Sequence, residues 1–173
     1  SNSGIPAMYG TGDTTTVPSN ENKITASDGA GADNFGYSVA VGSGRLVVGA
    51  YFDDDEGSNS GSAYIFNLNG TQLAKITASD GAAEDSFGYS VAVGCGRIVV
   101  GAETDDNNNG TNAGAAYIFD LDGNQLAKIT ASNGSDYNNF GYSVAVGSGR
   151  IVVGSLTDEF YIFDLDGNQL AST

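Results

Sequence analysis

The octapeptide FGYSVAVG occupies residues 35–42, and identical copies begin at Phe87 and at Phe140. The copies are 52 residues apart (87−35) and then 53 residues apart (140−87). In an extended strand the tyrosine and two valines of each copy fall on one face, and the serine, alanine and glycines fall on the other. A sheet with one large face and one small face can stack on copies of itself. The octapeptide therefore predicts a tandem array of stacked β-sheets.

Three further blocks recur in fixed order around each octapeptide: KITAS, GR(L/I)VVG and YIF(N/D)L(N/D)G(T/N)QLA. Each block is rich in β-branched and aromatic residues, and Gly, Asn and Asp lie between the blocks, as is typical of short strands and turns. No segment shows a capped helical periodicity. In the first copy the strands are predicted at Gly36–Val41, Arg45–Ala50, Ala63–Leu68 and Gln72–Ala78. We expect an all-β, β-propeller-like fold of three four-stranded antiparallel blades.

The repeats divide the chain into a short N-terminal segment and one repeat domain. Residues 1–22 are rich in Ser, Thr, Gly and Asn and predict an extended arm or linker, whereas residues 23–173 form the repeat domain. The repeats span residues 23–74, 75–127 and 128–171. Apolar residues in the arm are expected to anchor it to a neighbouring structural subunit; they are Ile5, Met8 and Tyr9.

The ends of the repeat array predict how the blades close. Internal copies read QLAKITAS without interruption, as at Gln72–Ser79, whereas the last copy has QLA at residues 169–171 and the first copy begins KITAS at Lys23. The two ends then form two halves of one outer strand, so we expect Lys23–Ser27 and the C-terminal strand to share a sheet in a closed three-bladed ring. The open alternative is an oligomer in which the halves pair between chains, as a six-bladed dimer or an open-ended stack.

Charge and composition exclude several classes of function. The 173 residues carry 21 acidic and 6 basic side chains, for a net charge of −15, so binding to nucleic acid is not expected. There is no apolar run long enough to insert into a membrane. Histidine is absent and Cys95 is the only cysteine, which excludes a thiolate zinc cluster and leaves no histidine to act as a catalytic base. We therefore expect a protein that is not an enzyme.

All six basic residues occupy two positions of the repeat. The lysines begin each KITAS block, and the arginines follow the glycine turn after each octapeptide. This placement predicts one structural ion pair or cap per blade, with a basic ring on one face as the alternative.

The octapeptide at Phe35, followed by Val47-Val48-Gly49-Ala50, resembles the FG-GAP repeat, and the other two copies carry the same pair of motifs. The resemblance implies the β-propeller blade of integrin α heads and of many bacterial and viral surface proteins, which mostly bind proteins or surfaces. Integrin-type repeats often hold Ca²⁺ in a D-x-D-x-D-G loop between the first two strands, but Gly42–Arg45 has no carboxylate here. The amino-acid sequence of the repeats also resembles that of tandem repeats in virion proteins of cyanobacterial viruses. The resemblance thus implies an extracellular, cell-surface or virion location.

Acidic loops between the second and third strands are the candidate metal sites. Oxygen-bearing side chains alternate there as in Ca²⁺-binding loops, and the candidate ligands are Asp105, Asn107, Asn109, Asp53 and Asp55. Both loops lack a reliable terminal Glu, and the third copy is shortened: 7 positions separate Gly154 from Tyr161 (161−154), against 15 from Gly49 to Tyr64 (64−49). The alternative is a solvated acidic loop. We expect no required cofactor, with Ca²⁺ as the one candidate.

The loops that join successive blades vary in sequence and are the candidate ligand-binding surface. Their candidate contact residues are Asp33, Asp85 and Tyr137. The leading hypothesis is a non-catalytic structural or adhesive module on an extracellular or virion surface, whose loops contact protein or glycan. The alternatives are that the loops only connect blades, or that the chain is a Ca²⁺-dependent ligand-binding domain of a bacterial surface protein.

Overall fold

Twelve strands form three separate four-stranded sheets in a computed structural model that describes residues 22–172, with residues 171 and 172 described by their backbone only. The first blade contains β1 (Ser38–Gly42), β2 (Arg45–Ala50), β3 (Ser62–Asn67) and β4 (Gln72–Ile76). The second contains β5 (Phe87–Gly94), β6 (Arg97–Ala102), β7 (Ala115–Phe119) and β8 (Gln125–Ile129). The third contains β9 (Ser143–Gly147), β10 (Arg150–Gly154), β11 (Phe160–Phe163) and β12 (Gln169–Ser172).

Each blade is an antiparallel meander of consecutive strands, so the predicted all-β fold with three four-stranded blades is confirmed. The described residues contain no helix, and hence none that is long and apolar enough to cross a membrane. The sheets are offset from the predicted repeat boundaries, because the first two residues of KITAS end the fourth strand of the preceding blade. The predicted arm lies outside the described residues except for Asn22.

The phenylalanine of each octapeptide fastens the start of a blade to its own third strand. Phe87 is buried, and its ring meets those of Tyr117 and Phe119 edge-on, with centroids 5.4 and 5.9 Å apart. Phe140 meets Tyr161 and Phe163 in the same way, at 5.1 and 5.9 Å. Edge-to-face aromatic pairs add stability beyond the burial of their area. The pairing explains why the FG and YIF blocks recur together.

The blades stack with the large face of one against the small face of the blade before it. The large face of the second blade, which includes Val91, Val93 and Ile98, packs on Val47 and Ile65 of the first in one apolar core. A second core joins the small face of the second blade to the large face of the third; among its members are Ala92, Val99, Ile118, Phe140 and Ile151. The predicted large-on-small packing therefore holds at both interfaces.

Glycines let neighbouring blades approach to backbone contact. A Cβ atom on Gly49 would lie 2.0 Å from the carbonyl oxygen of Gly88, and one on Gly101 would lie 2.0 Å from that of Gly141. The same carbonyl oxygens accept hydrogen bonds of 2.7 Å from Ser38 Oγ and Ser90 Oγ of the preceding blade. A side chain larger than hydrogen at these two glycines would push the blades apart.

We expect Gly101→Ala to destabilise the fold by about 1–3 kcal/mol, because the added methyl group overpacks a rigid backbone contact between blades. Gly154→Ala is the matched control, since Gly154 holds the same repeat position in the third blade. Its added Cβ would meet only Ser143 Oγ, at 2.4 Å, which can rotate away. Urea unfolding of both variants checks this, and equal losses would contradict the stacking of the second and third blades.

Arginines tie each blade to the next. Arg45 Nε donates to the carbonyl oxygen of Leu121 at 3.1 Å, and Arg97 Nε donates to that of Leu165 at 3.1 Å. Their guanidinium groups also lie 3.6 Å from Asp122 and 3.4 Å from Asp166. Both aspartates are largely exposed, so the ion pairs contribute little and the bonds to the carbonyl groups matter more. Arg45 and Arg97 therefore form structural contacts, but these contacts link different blades, whereas one ion pair or cap within each blade was predicted.

The predicted ring closure is wrong for the described chain. The third sheet contains β9 to β12 alone, and Lys23–Ser27 is not a strand. Instead, Ile24 and Ala26 pack on the first blade beside Tyr64 and Phe66. Ile76 and Ala78 take the same place against the second blade. The apolar residues of KITAS pack on the blade that follows them, which keeps the first KITAS segment with the first blade and leaves an open stack.

Candidate functional site

The loops between blades and the acidic loops come together along one side of the stack, at the same edge of all three sheets. We call this surface the loop end. It comprises residues 28–37, 51–61, 80–86, 103–114, 133–139 and 155–159. Backbone bonds join the two kinds of loop: Glu84 N–H donates to Ser58 O at 2.7 Å, and Tyr137 N–H donates to Thr111 O at 2.8 Å. The loop end is therefore a continuous surface across all three blades.

A lysine lies at the centre of the acidic side chains in the first blade. Lys75 Nζ is 2.7 Å from Asp28 Oδ2 and 3.0 Å from Asp53 Oδ2, and it also contacts Asp55. The hydroxyl of buried Tyr64 lies 3.0 Å from Asp28 Oδ1 and 3.1 Å from Asp53 Oδ2. We call these five residues the first lysine cluster. Its ammonium group contacts the carboxylates of Asp53 and Asp55, which are two of the candidate calcium ligands.

The second blade repeats the arrangement as the second lysine cluster. Lys128 Nζ lies 2.6 Å from Asp80 Oδ2 and 2.9 Å from Asp105 Oδ2, and the Tyr117 hydroxyl is 2.9 Å from a carboxylate oxygen of each. In the third blade the hydroxyl of Tyr161 instead bonds Glu159 at 2.6 Å and Asn133 at 3.0 Å. Ser172 holds the repeat position of the lysine there.

Burial and ion pairing have opposite effects on the pKa values of the acidic and basic groups in these clusters. Burial raises the pKa of Asp53, but the hydrogen bond and charge of Lys75, together with the hydrogen bond from the backbone N–H of Asp55, outweigh it and leave that pKa below its ordinary value. The pKa of Asp80 is lowered in the same way by Lys128, against burial. Burial lowers the pKa of Lys75, but hydrogen bonds to Asp28, Asp55 and Asp53 raise it above its usual range. Lys75, Asp53 and Asp80 are therefore charged at physiological pH, and each cluster has more carboxylates than its single lysine.

The predicted metal ligands already have protein partners. Asp53 and Asp55 face Lys75, and Asp105 faces Lys128. The amide of Asn107 donates to Asp105 Oδ1 at 3.1 Å, and the amide of Asn109 donates to Ala131 O at 2.9 Å. Within residues 22–172 no three acidic, His or Cys side chains are arranged to hold a metal ion. Calcium at these residues remains a prediction, and the geometry around them is that of ion pairs.

Removal of calcium should shift the melting temperature by no more than a few degrees. The lysine ammonium groups already neutralise the buried carboxylates, so no ion is needed to hold the acidic loops. Thermal melts in EDTA and in millimolar CaCl₂ check this. Because a ligand stabilises by RT ln(1 + [L]/Kd), a tight calcium site would instead give a large rise in melting temperature with calcium, and unfolding in EDTA would equally contradict the expectation.

The three predicted ligand-contact residues differ in where they point. Asp33 and Asp85 are buried, and each accepts a short bond from a backbone N–H of its own loop, from Ala30 at 2.6 Å and from Ala82 at 2.7 Å. These two aspartates brace their loops with their side chains turned inward, and ligand contact by them remains a prediction. Tyr137 is 62% exposed and remains available for contact.

Asp85 predicts an unusual pH dependence. Burial, assisted by the nearby charges of Asp105 and Asp80, raises the pKa of Asp85 to about 6. A carboxyl group whose folded pKa is raised destabilises the fold at pH 7, and this loss shrinks as the pH falls towards the unfolded pKa of 3.8. The change from pH 7.5 to pH 5 amounts to about 1 kcal/mol.

We therefore expect Asp85→Asn to remove about 1 kcal/mol of stabilisation that the parent protein gains between pH 7.5 and pH 5. Asparagine fits the site, because Asn138 holds the equivalent position in the third blade. Asp122→Asn, on an exposed hairpin, controls for the change in net charge. Urea unfolding at both pH values makes the comparison, and an unchanged pH slope in Asp85→Asn would refute the role assigned to this carboxyl group.

A row of aromatic side chains crosses the loop end, and the sequence did not predict it. We define the aromatic row as Tyr37, Tyr51, Phe52, Tyr89 and Tyr142. The repeat tyrosines are spaced by 5.2 Å from Tyr37 to Tyr89 and 5.3 Å from Tyr89 to Tyr142, between ring centroids. Tyr37 is 53% exposed, and Tyr142 and Phe52 are also exposed. The tyrosine at the third position of each FGYSVAVG copy is the sequence feature from which the row could have been predicted.

The aromatic row keeps hydrogen-bonding groups at its edge. Burial raises the pKa of Tyr89 far above its ordinary value, and hydrogen bonds with Tyr37 and Tyr142 add to the shift. The amide of Asn34 donates to the hydroxyl of Tyr51 at 3.1 Å. Burial also raises the pKa of Glu103, whose charge acts on Tyr89. Apolar ring faces therefore lie beside hydroxyl and amide groups.

A family model described as FG-GAP repeat matches residues 18–66, 71–119 and 124–168. The chain belongs to the FG-GAP repeat family. FG-GAP repeats are commonly ligand-binding or adhesion modules, their fold is generally non-enzymatic, and they are typical of extracellular proteins. No curated protein matches the chain, and the narrower resemblance to virion proteins has no support among the matches.

Solved structures similar to this FG-GAP repeat chain include two computationally designed proteins. Ika4 superposes with a TM-score of 0.54 at 14% identity, over 88% of this chain and 79% of its own. Ika8 superposes with a TM-score of 0.50 at 12% identity, over 80% of this chain. The chain spans 36% of the length of Ika8. At these identities the likeness concerns the fold alone.

Proposed function

We propose that this FG-GAP repeat chain is a non-catalytic adhesive module of an extracellular surface, and that its loop end binds surface glycans. The observation that supports this is the aromatic row. Apolar patches exposed on a soluble protein often mark binding sites, and tyrosine provides a rigid contact area with a polar edge. The loops themselves are braced by buried Asp33 and Asp85, so the row lies on a fixed scaffold.

Glycan is the ligand class that the row favours over protein. Sugar rings present apolar C–H faces and many hydroxyl groups, which match aromatic faces bordered by amide and hydroxyl groups. The net charge of −15 makes anionic glycans poor ligands, so neutral glycans are expected. Binding independent of Ca²⁺ is also expected, since Lys75 and Lys128 already pair with the buried carboxylates of Asp53 and Asp105. A virion surface is one location for such a module, in line with the resemblance of the repeat sequences to virion proteins.

A glycan array tests the proposal with the protein labelled at exposed Cys95, which lies on a hairpin at the opposite end of the strand from Tyr89. We expect binding to neutral glycans that is equal in EDTA and in calcium. The double variant Tyr37→Ala/Tyr51→Ala should bind at least about tenfold more weakly, a loss of about 1.4 kcal/mol. Leu126→Ala, an exposed apolar residue outside the row, should bind normally. Absence of glycan binding, or full binding by the double variant, would refute the proposal.

A further inference from the structure

The two ends of the blade stack carry uncovered faces of opposite kind. On the first blade Val39 and Val41 are 69% and 70% exposed, whereas the equivalent Val91 and Val93 of the second blade are 9% and 8% exposed beneath the first. The third blade ends the stack with its small face, on which Ser143, Ala145 and Gly147 are exposed. Within residues 22–172 a large face is thus open at one end and a small face at the other.

Both internal interfaces use the same polar contacts. On the small face of both the first and the second blade, a serine donates to a glycine carbonyl group in the octapeptide of the next blade, as Ser90 Oγ does to Gly141 O at 2.7 Å. An arginine of the same blade donates to the carbonyl of the next β-hairpin, as Arg97 does to Leu165 at 3.1 Å. These bonds fix the register of one blade on the next.

The counterparts of these groups lie on the two open ends. Ser143 and Arg150 are the equivalent donors on the third blade, and both are exposed. Gly36 and Leu68 carry the equivalent carbonyl groups on the first blade, where the side chain of Leu68 is 63% exposed. One group differs, because Asn69 stands where the second and third blades have Asp122 and Asp166. Loss of that ion pair is minor, since both aspartates are exposed.

We propose that the large face of the first blade is a docking face for the small face of the third blade in a second copy of this chain. The same faces already pack together twice within the chain, so the new interface continues an existing one. Such head-to-tail contacts generate a closed ring or an extending stack. The proposal does not rest on glycan binding, because the docking contacts are made by the flat faces of the sheets. Tyr142 of one copy would lie beside Tyr37 of the next, as Tyr89 lies beside Tyr37 within the chain.

The net charge of −15 sets the conditions in which the association is strongest. Copies of an acidic chain repel one another at low ionic strength, and salt screens this repulsion. The docking contact itself is apolar, and the bonds at its edges run from Ser143 and Arg150 to carbonyl groups without an ion pair that salt would weaken. Association should therefore strengthen as salt is raised from about 20 mM to 500 mM, as the Debye length falls.

Analytical ultracentrifugation of the full chain at high salt, over a concentration series, tests the proposal. The parent protein should self-associate, whereas Val39→Asp and Ala145→Asp, each of which places a charge on one docking face, should remain monomeric. Leu126→Asp, at an exposed site on neither face, should associate like the parent protein. An equimolar mixture of Val39→Asp and Ala145→Asp retains one intact face of each kind and should form a two-chain species. Unchanged circular dichroism of each variant confirms that it is folded.

A cysteine pair tests the register. A Cβ on Gly94 would lie 3.5 Å from Val146 Cγ1, and the equivalent pair between copies is Gly147 with Val41. In a Cys95→Ser background, chains with Gly147→Cys mixed with chains with Val41→Cys should form a heterodisulfide under mild oxidation, identified by peptide mass.

Three results would overturn the proposal. A parent protein that stays monomeric at every salt and concentration would show that the face is covered within the chain or not used. Association that persists in Val39→Asp would place the contact elsewhere. Absence of the heterodisulfide in an associating mixture would exclude the register.

Discussion

Val99→Asp is expected to abolish folding or to remove most of the stability of the protein. Val99 is fully buried between the second and third blades, in a core with Ile118 and Phe140. A carboxylate there has no partner and no water, which costs several kcal/mol, comparable with the whole stability of a small domain. Circular dichroism and urea unfolding at low micromolar concentration measure the loss.

The repeat provides the control for this substitution. Val152 has the same repeat position on the third blade, but it lies on the open small face and is half-buried. Val152→Asp should therefore leave a folded protein with a much smaller loss of stability. If both variants melt alike, the second and third blades are not stacked as described.

Lys128→Met is expected to destabilise the protein by roughly 3–5 kcal/mol, because it removes one partner of a buried ion pair. Asp105 is 2% exposed and would remain as a buried charge without its lysine. Lys23→Met is the matched control: Lys23 begins the first KITAS block but is exposed, so its replacement should change stability by less than about 0.5 kcal/mol.

A double variant separates the loss of the pair from the loss of packing. Lys128→Met combined with Asp105→Asn removes the uncompensated charge, so it should recover part of the stability lost in Lys128→Met. Unfolding free energies of the two single variants and the double variant form the cycle. Additive losses would show that Lys128 acts through its apolar stem and not through its charge.

The fold could be predicted from the sequence because its determinants are local and repeated. Alternation within FGYSVAVG predicts the large and small faces, and the observed cores place Val91 and Val93 on one and Ala92 on the other. Identical blocks at a fixed spacing also predict that each blade meets its neighbour in the same way. Ring closure was predicted wrongly because each internal KITAS segment begins in one sheet and packs on the next blade. The sequence does not show which of these two contacts positions the first KITAS segment.

The site was less predictable because it depends on distant residues and on local turns. Lys75 meets the candidate calcium ligand Asp53 across 22 residues, and the sequence alone does not show that a lysine lies beside that carboxylate. Asp33 and Asp85 were chosen as candidate contact residues from their place in variable loops, and the sequence does not show that tight turns direct them inward against backbone N–H groups. Tyr37 shares the face of Val39 and was expected to pack with it, yet it lies at the end of the strand, where it joins the aromatic row.

Each blade has both a large and a small face, and this affects how the length of such a chain can change in evolution. A gene duplication or deletion of one 52- or 53-residue unit would join a small face to a large face wherever in the unit it occurred. The serine–glycine and arginine–carbonyl bonds would form at the new junction without further mutation, since each copy encodes both halves. Only the terminal copies are released from these constraints. Recombination can therefore vary the number of blades as a nearly neutral change, in contrast to folds with a single non-repeating core.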